Sequence, residues 1–153
     1  MITVNNLRDY TAQVMEALPG IQKAEVAVVK EDLIKFMQDM KKEDNIMMLS
    51  VLPDHAMEGE QDSAKYVNIC GFYFLEKTTQ HNKDHQAYLD VFARTQAVAK
   101  AFMDKLMVDK STNQGLFCGF LAWLQEASFT AIPVRVLADC NGFYVQINIK
   151  SNP

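Results

Sequence analysis

Glycine and proline are scarce in this chain, 6 and 4 among 153 residues, which excludes collagen-like and low-complexity architectures. The glycines never assemble into a phosphate-cradling loop, and no G-x-S-x-G elbow is present, so two common catalytic frameworks are missing. Cysteine is scarce too. Cys70, Cys118 and Cys140 are odd in number, far apart and set among apolar neighbours, which argues against a disulfide framework and reads as buried free thiols. No Lys/Arg block occurs, and 15 basic residues against 19 acidic ones give a net charge of -4; the electrostatic footprint of a nucleic-acid binder is absent. The longest apolar runs, "IMMLSVL" and "FLAWL", are far below the ~20 residues of a membrane span. "MITVNNLRDY" has neither a basic start nor an apolar signal core, and the expected location is the cytoplasm.

What is present is the balance of a folded protein: 49% hydrophobic and 22% charged residues, enough for a single domain over 1–153. "NNLRDYTAQVMEAL" is a helix candidate capped by Asn5 or Asn6, with Leu7, Tyr10, Val14, Ala17 and Leu18 at helical spacing before Pro19-Gly20. "AEVAVV" (24–29) reads as a strand, and "KEDLIKFMQDMKK" as a short helix with Leu33, Phe36, Met37 and Met40 on one face. "NIMMLSVL" and "KYVNICGFYFLE" are apolar on both alternating sets of positions and read as central strands. Between them "PDHAMEGEQDSA" reads as a long exposed acidic loop. From Asp84 to Asp109 the stripe Tyr88, Val91, Phe92, Thr95, Ala99, Phe102 and Leu106 predicts a long helix, with Asp90-Arg94 and Lys100-Asp104 as exposed i,i+4 pairs. "LFCGFLAWLQEA", which holds the single tryptophan, Trp123, suits a short helix better than a strand.

Asn141-Gly142 is a two-residue hairpin signal. Counting outward places Cys140 opposite Phe143, Ala138 opposite Val145, Val136 opposite Ile147 and Val134 opposite Ile149 on an apolar face. Arg135, Asp139, Tyr144 and Gln146 then share a polar one. Cys140 falls on the buried side. Strands and helices do not alternate regularly, so the class is α+β, a mainly antiparallel sheet with a long helix and shorter helices packed on one face.

Sites of chemistry are hard to find. His81 and His85 in "HNKDH" have metal-ligand spacing, but the glutamate beside the first histidine and a third ligand are missing, so a solvated helix start with Asn82 or Asp84 as cap is the better reading. His55 stands alone among acids. The nine methionines sit at core spacing. No catalytic residue, metal ligand or cofactor is assigned.

The order of elements resembles the small head-to-tail joining and tail-completion (tail-terminator-like) proteins of tailed bacteriophages and prophages. It comprises an opening helix, central strands ending in "CGFYFLEK", the helix "DHQAYLDVFARTQAVAKAFMDKLMVDK" and the closing "SFTAIPVRVLADCNGFYVQINIK". The resemblance implies a non-enzymatic subunit that forms a ring, six-fold in that group, contacts other phage structural proteins and ends in the virion; from the charge balance and the short apolar runs, neither specific nucleic-acid recognition nor a membrane is expected. The candidate contacts are Asp54, His55, Glu58, Glu60 and Asp62 in the acidic stretch, and Arg135, Asp139, Tyr144 and Gln146 on the closing hairpin. The alternative is a cytoplasmic ligand-binding or enzyme domain with a pocket between sheet and long helix, His81 and His85 near its mouth.

Overall fold

Helix α1, Val4–Ala17, begins where Thr3 and Asn6 cap each other: Thr3 Oγ1 accepts the Asn6 amide at 3.2 Å and Asn6 Oδ1 accepts the Thr3 amide at 3.1 Å. The expected cap at Asn5 or Asn6 is thus replaced by Thr3, with Asn6 in the third helical position. Strand β1, Lys23–Ala27, leads through α2, Lys30–Asp39, to β2, Met47–Glu58. Strand β3, Lys65–Lys77, precedes the long helix α3, His85–Thr112, and β4, Thr130–Arg135, and β5, Cys140–Ser151, close the chain. The computed structural model describes residues 1–60, 64–78, 84–112, 124–135 and 139–151, apart from the Lys30 side chain.

The five strands form one mixed sheet in the order β1-β2-β3-β5-β4, parallel between β1 and β2 and antiparallel elsewhere. The α+β class is therefore as the sequence implies, with one departure. A parallel pair needs a crossover over a sheet face, and α2 makes it on the face opposite the other helices. One core layer joins Leu7, Tyr10 and Val14 of α1 and Ala99, Phe102 and Leu106 of α3 to Phe72, Phe74, Val145 and Ile147. The second joins Met37 and Met40 at the end of α2 to Met47, Leu49, Leu75 and Cys140. Phe102 sits in the middle of the first layer, 4.7 Å from Phe72 and 5.1 Å from Phe74 between ring centres.

Two readings of the strands are corrected. The first half of the acidic stretch is strand: β2 continues through Asp54–Glu58, because a bulge sets Leu52 and Pro53 against the single residue Cys70, while residues 61–63 lie outside the described residues. Proline has no amide to give to a ladder, and a bulge is where a strand tolerates it. The turn of the last hairpin is not at Asn141-Gly142. Arg135 pairs with Asn141, Val134 with Gly142 and Ile132 with Tyr144, so both turn candidates lie inside β5. The left-handed residue is Asp139, φ 60°, a conformation aspartate tolerates better than most side chains. Its carbonyl accepts from Thr78 twice, from the amide at 2.9 Å and from Oγ1 at 2.8 Å. Residues 136–138, and with them the expected pairs of Val136 and Ala138, lie outside the described residues.

Gly142 is required for another reason. A Cβ there would come within 2.0 Å of the Phe74 carbonyl oxygen on the neighbouring strand, closer than any side chain allows. Asn141 is a buried strand residue whose Nδ2 donates to Thr78 Oγ1 at 2.9 Å. Cys140 is fully buried as expected, but against Met37 and Met40 of α2 and away from Phe143.

Candidate assembly surface

The corrected register changes which residues share a face. Directly paired residues lie on the same side, so Ile132, Tyr144 and Tyr73 belong together, as do Thr130, Gln146 and Gly71, then Asn148, Ile69 and Asp54. This is the face of α2, whose core layer takes in Met47, Leu49, Leu75 and Cys140 and has Tyr73 and Val134 at its margin. Among the described residues no helix packs on the remainder. Tyr73, Tyr144, Ile69 and Gln146 are half-buried, and Ile132 is 46% exposed.

Glycine shapes the centre of this surface. A Cβ on Gly71 would meet the Tyr144 hydroxyl at 2.6 Å, so the tyrosine lies flat across the glycine gap and its ring stands 4.7 Å from that of Tyr73. Tyr144 reaches Gln146 Oε1 at 3.5 Å. Burial raises the pKa of both phenols, and for Tyr144 the Tyr73 phenol and the Asp54 carboxylate push in the same direction. The result is a pair of uncharged aromatic plates edged by Ile132, Gln146 and Asp54. Tyrosine supplies large contact area at low entropic cost and is enriched at interfaces.

The residues singled out from the sequence distribute unevenly over this geometry. Tyr144, Gln146 and Asp54 share the uncovered face. Glu58 is also on it, in an ion pair with Lys150 at 2.7 Å. His55 points to the other side, where its Nδ1 donates to Asn68 Oδ1 at 3.0 Å. The buried Asn68 also accepts from the Ile2 amide and donates to the Ile149 carbonyl at 2.8 Å, so His55 belongs to a structural network. Arg135 pairs with Asn141 and is therefore separated from Tyr144 and Gln146, against the expected polar face. Asp139 is half-buried in its turn, and Glu60 is exposed beyond Gly59. Asp62 lies outside the described residues. Ile132 and Tyr73 are what the sequence reading missed, because the false hairpin register had put Tyr144 opposite Asp139.

The other expected chemistry resolves into structure. Asp84 caps α3 by accepting the Gln86 amide at 3.0 Å, and His85 stacks on Tyr88 at 6.5 Å. His81, Cys118, Trp123 and most of the expected helix in 115–127 lie outside the described residues; from Leu124 onward the chain makes a bridge to Ile149 and a 3₁₀ turn over Glu126–Ser128. Burial pushes the Cys70 thiol up to about 12 and raises that of Cys140 as well. Neither is a poised nucleophile. Of the two expected pairs on α3, Lys100-Asp104 forms at 2.6 Å, whereas Arg94 turns to Glu76 of β3 with both nitrogens of its fork, at 3.0 and 2.6 Å.

Two clefts flank α3. One, of about 250 Å³, is polar and lies beside Asn45, Lys77, Asp90 and Arg94. Two of its three cations are already engaged, Arg94 by Glu76 and Lys77 by the Met37 and Gln38 carbonyls at 3.1 and 3.4 Å; the third is Lys42. Lys77 thus supplies the positive charge that the last turn of α2 lacks. The other cleft, of about 420 Å³, is lined mainly by Ala93, Ala97, Met103, Ala131 and Phe143. Among the described residues no group of three His, Cys, Asp or Glu side chains could hold a metal, and no helix is long and apolar enough to cross a membrane. No protein-family model and no curated protein sequence matches this chain.

Proposed function

We propose that this protein is a self-assembling structural subunit of the kind found in phage-type head-tail connectors and tail ends, closing into a ring and acting through protein-protein interfaces. The observation that supports the reading most is the part of the α2-side sheet face on which, among the described residues, no helix packs: two tyrosines in tilted ring contact on β3 and β5 and a half-exposed isoleucine on the edge strand β4. An antiparallel sheet often leaves one face to water, but that face is then polar; the tyrosines and the isoleucine here mark a contact surface. Beside it lies β4, a short edge strand carrying Pro133, which limits strand addition on that side and leaves side-chain contact as the mode of association. The runner-up, a ligand-binding or enzyme domain using a pocket beside α3, has two clefts in its favour. Against it stands the engagement of two of the polar cleft's three cations, Lys77 and Arg94, by groups of the same chain.

The test is the mass distribution of the purified protein across concentration, with images of any ring, for the native chain and for Ile132→Glu. The reading predicts closed oligomers that the charge at position 132 disperses. A native chain that stays a monomer with and without phage tail proteins, while binding a small molecule in a cleft beside α3, would support the runner-up.

A further inference from the structure

The two edges of the sheet are not equivalent. Strand β4 is guarded by Pro133, whereas β1, with the sequence KAEVA, has neither proline nor bulge. Which of its backbone groups face outward follows from the rest of the sheet. The amide and carbonyl of Lys77 turn toward β2, where the Asn45 side chain takes both at 2.8 and 3.2 Å, while Thr78 donates to Asp139 on the β5 side. Backbone groups alternate sides along a strand. Through the observed register, Met47, Leu49 and Val51 therefore bond to β3, and Met48 and Ser50 to β1. The Ile46 carbonyl, in step with that of Met48, also turns toward β1, where it accepts the Gln22 amide at 2.9 Å; that bond lies ahead of β1, before the Lys23–Met47 register begins. In the parallel pairing Lys23 and Glu25 answer Met48 and Ser50, which leaves the N–H and C=O of Ala24 and Val26 directed out of the sheet.

That open edge floors a groove of about 370 Å³ whose far wall is α1, with Val4, Arg8 and Met15 on one side and Ala24, Val26 and Val28 on the other. Val4, Met15 and Val28 are 44, 39 and 49% exposed, and Val29 beside them 51%. Charged side chains often protect an edge from pairing. Here the two charges have opposite sign and stand two residues apart, on the same face. In an antiparallel pairing of two β1 strands centred on Ala24, Lys23 of each copy lies opposite Glu25 of the other. Both pairs occupy non-hydrogen-bonded positions, where side chains approach most closely. Centred one residue later, the same strands would set Glu25 against Glu25. The charges select one register.

We propose that β1 is the interface for a second copy of this chain, paired antiparallel about a two-fold axis through Ala24 to give a continuous ten-stranded sheet. The apolar rim of Val4, Met15 and Val28 closes against its own counterpart beside the axis. Such a contact is isologous and ends at two copies. It uses the edge opposite the Ile132 and Tyr144 surface and stands independently of the ring reading.

Sedimentation equilibrium on the native chain, Lys23→Glu, Glu25→Lys and the double exchange tests this. Each single variant sets like charges opposite at two places and should weaken dimerisation at least about tenfold. The double exchange restores both pairs and should recover the dimer, although Lys23 also stands 3.8 Å from Asp44 within its own chain. Should a single variant fail to fold, hydrogen exchange on the native chain gives the answer, since the amides of Ala24 and Val26 should become protected as concentration rises. Concentration-independent exchange at those two amides overturns the proposal, as does a dimer that both folded single variants leave intact. Ile132→Glu should leave this dimer unchanged, so loss of the ring and loss of the two-fold contact are separately visible.

Discussion

Gly71 of the central strand lies directly beneath the ring of Tyr144, so close that a Cβ would stand 2.6 Å from the tyrosine hydroxyl. The glycine is the gap that lets the aromatic plate lie flat on the sheet. Its replacement by alanine should tip Tyr144 outward, since the atom it meets is the far end of a side chain with room to move. The expected cost is about 1 kcal/mol. Gly142 makes the contrast: its Cβ would meet the Phe74 backbone carbonyl at 2.0 Å, and backbone in mid-sheet cannot yield. Gly142→Ala should cost about 3 kcal/mol or more. Urea denaturation of the two variants checks the order, and equal losses would contradict it.

Asp109 near the end of α3 accepts both oxygens' worth of contact from Lys105, at 3.0 and 2.8 Å, and a further bond from the Tyr10 hydroxyl at 3.2 Å. The lysine and aspartate side chains are only 14 and 10% exposed, so solvent screens the pair little. Asp109→Ala leaves a nearly buried ammonium without its carboxylate and should cost about 3 kcal/mol. Replacing both by apolar residues of similar size, Lys105→Met with Asp109→Leu, should recover most of that loss. Chemical denaturation of the single and double variants measures it; a double variant no better than the single would show that the charge was not the cause.

Alkaline pH should unfold this protein early. Burial raises the Cys70 thiol from the usual 9.0 to about 12, and burial with the neighbouring Asp109 carboxylate holds the Tyr10 phenol well above its usual 10.0. Both groups keep their protons longer when folded. Their contribution is fully present below the unfolded values, about 9 and 10, and is lost as pH rises through the folded ones. Denaturation midpoints should be insensitive to these groups at neutral pH and fall from about pH 9 upward. Tyr10→Phe and Cys70→Ala should each flatten that fall. In a variant lacking the Cys118 thiol, Cys70 and Cys140 should react with a disulfide reagent only as fast as the protein opens.

Much of the fold was legible because burial imprints a period on the sequence. The α3 stripe from Val91 to Leu106 packs on Phe72 and Phe74 as its spacing implies, and Leu33, Phe36, Met37 and Met40 of α2 meet one core layer. What misled were residues whose identity has two physical explanations. Asn141-Gly142 carries the composition of a tight turn, yet Gly142 is glycine because a strand passes too near. Moving the turn to Asp139 reversed the parity of β4 against β5, which carried Ile132 to the tyrosine face and Arg135 off it. Pro53 and its acidic neighbours read as loop because a bulge leaves no periodic signal. Of the candidate surface, Tyr144, Gln146 and Asp54 were visible as polar or aromatic residues outside any helix stripe; Tyr73 and Ile132 needed the true register.

The central claim is that this chain assembles through its uncovered sheet face, and mass photometry of the native chain beside Ile132→Glu tests it most directly. Ile132 is 46% exposed, so the substitution should cost at most about 1 kcal/mol of stability. The account predicts closed oligomers for the native protein and, for the variant, particles no larger than the β1-paired dimer. A variant that assembles as the native chain does, with an unchanged circular dichroism spectrum, would contradict it.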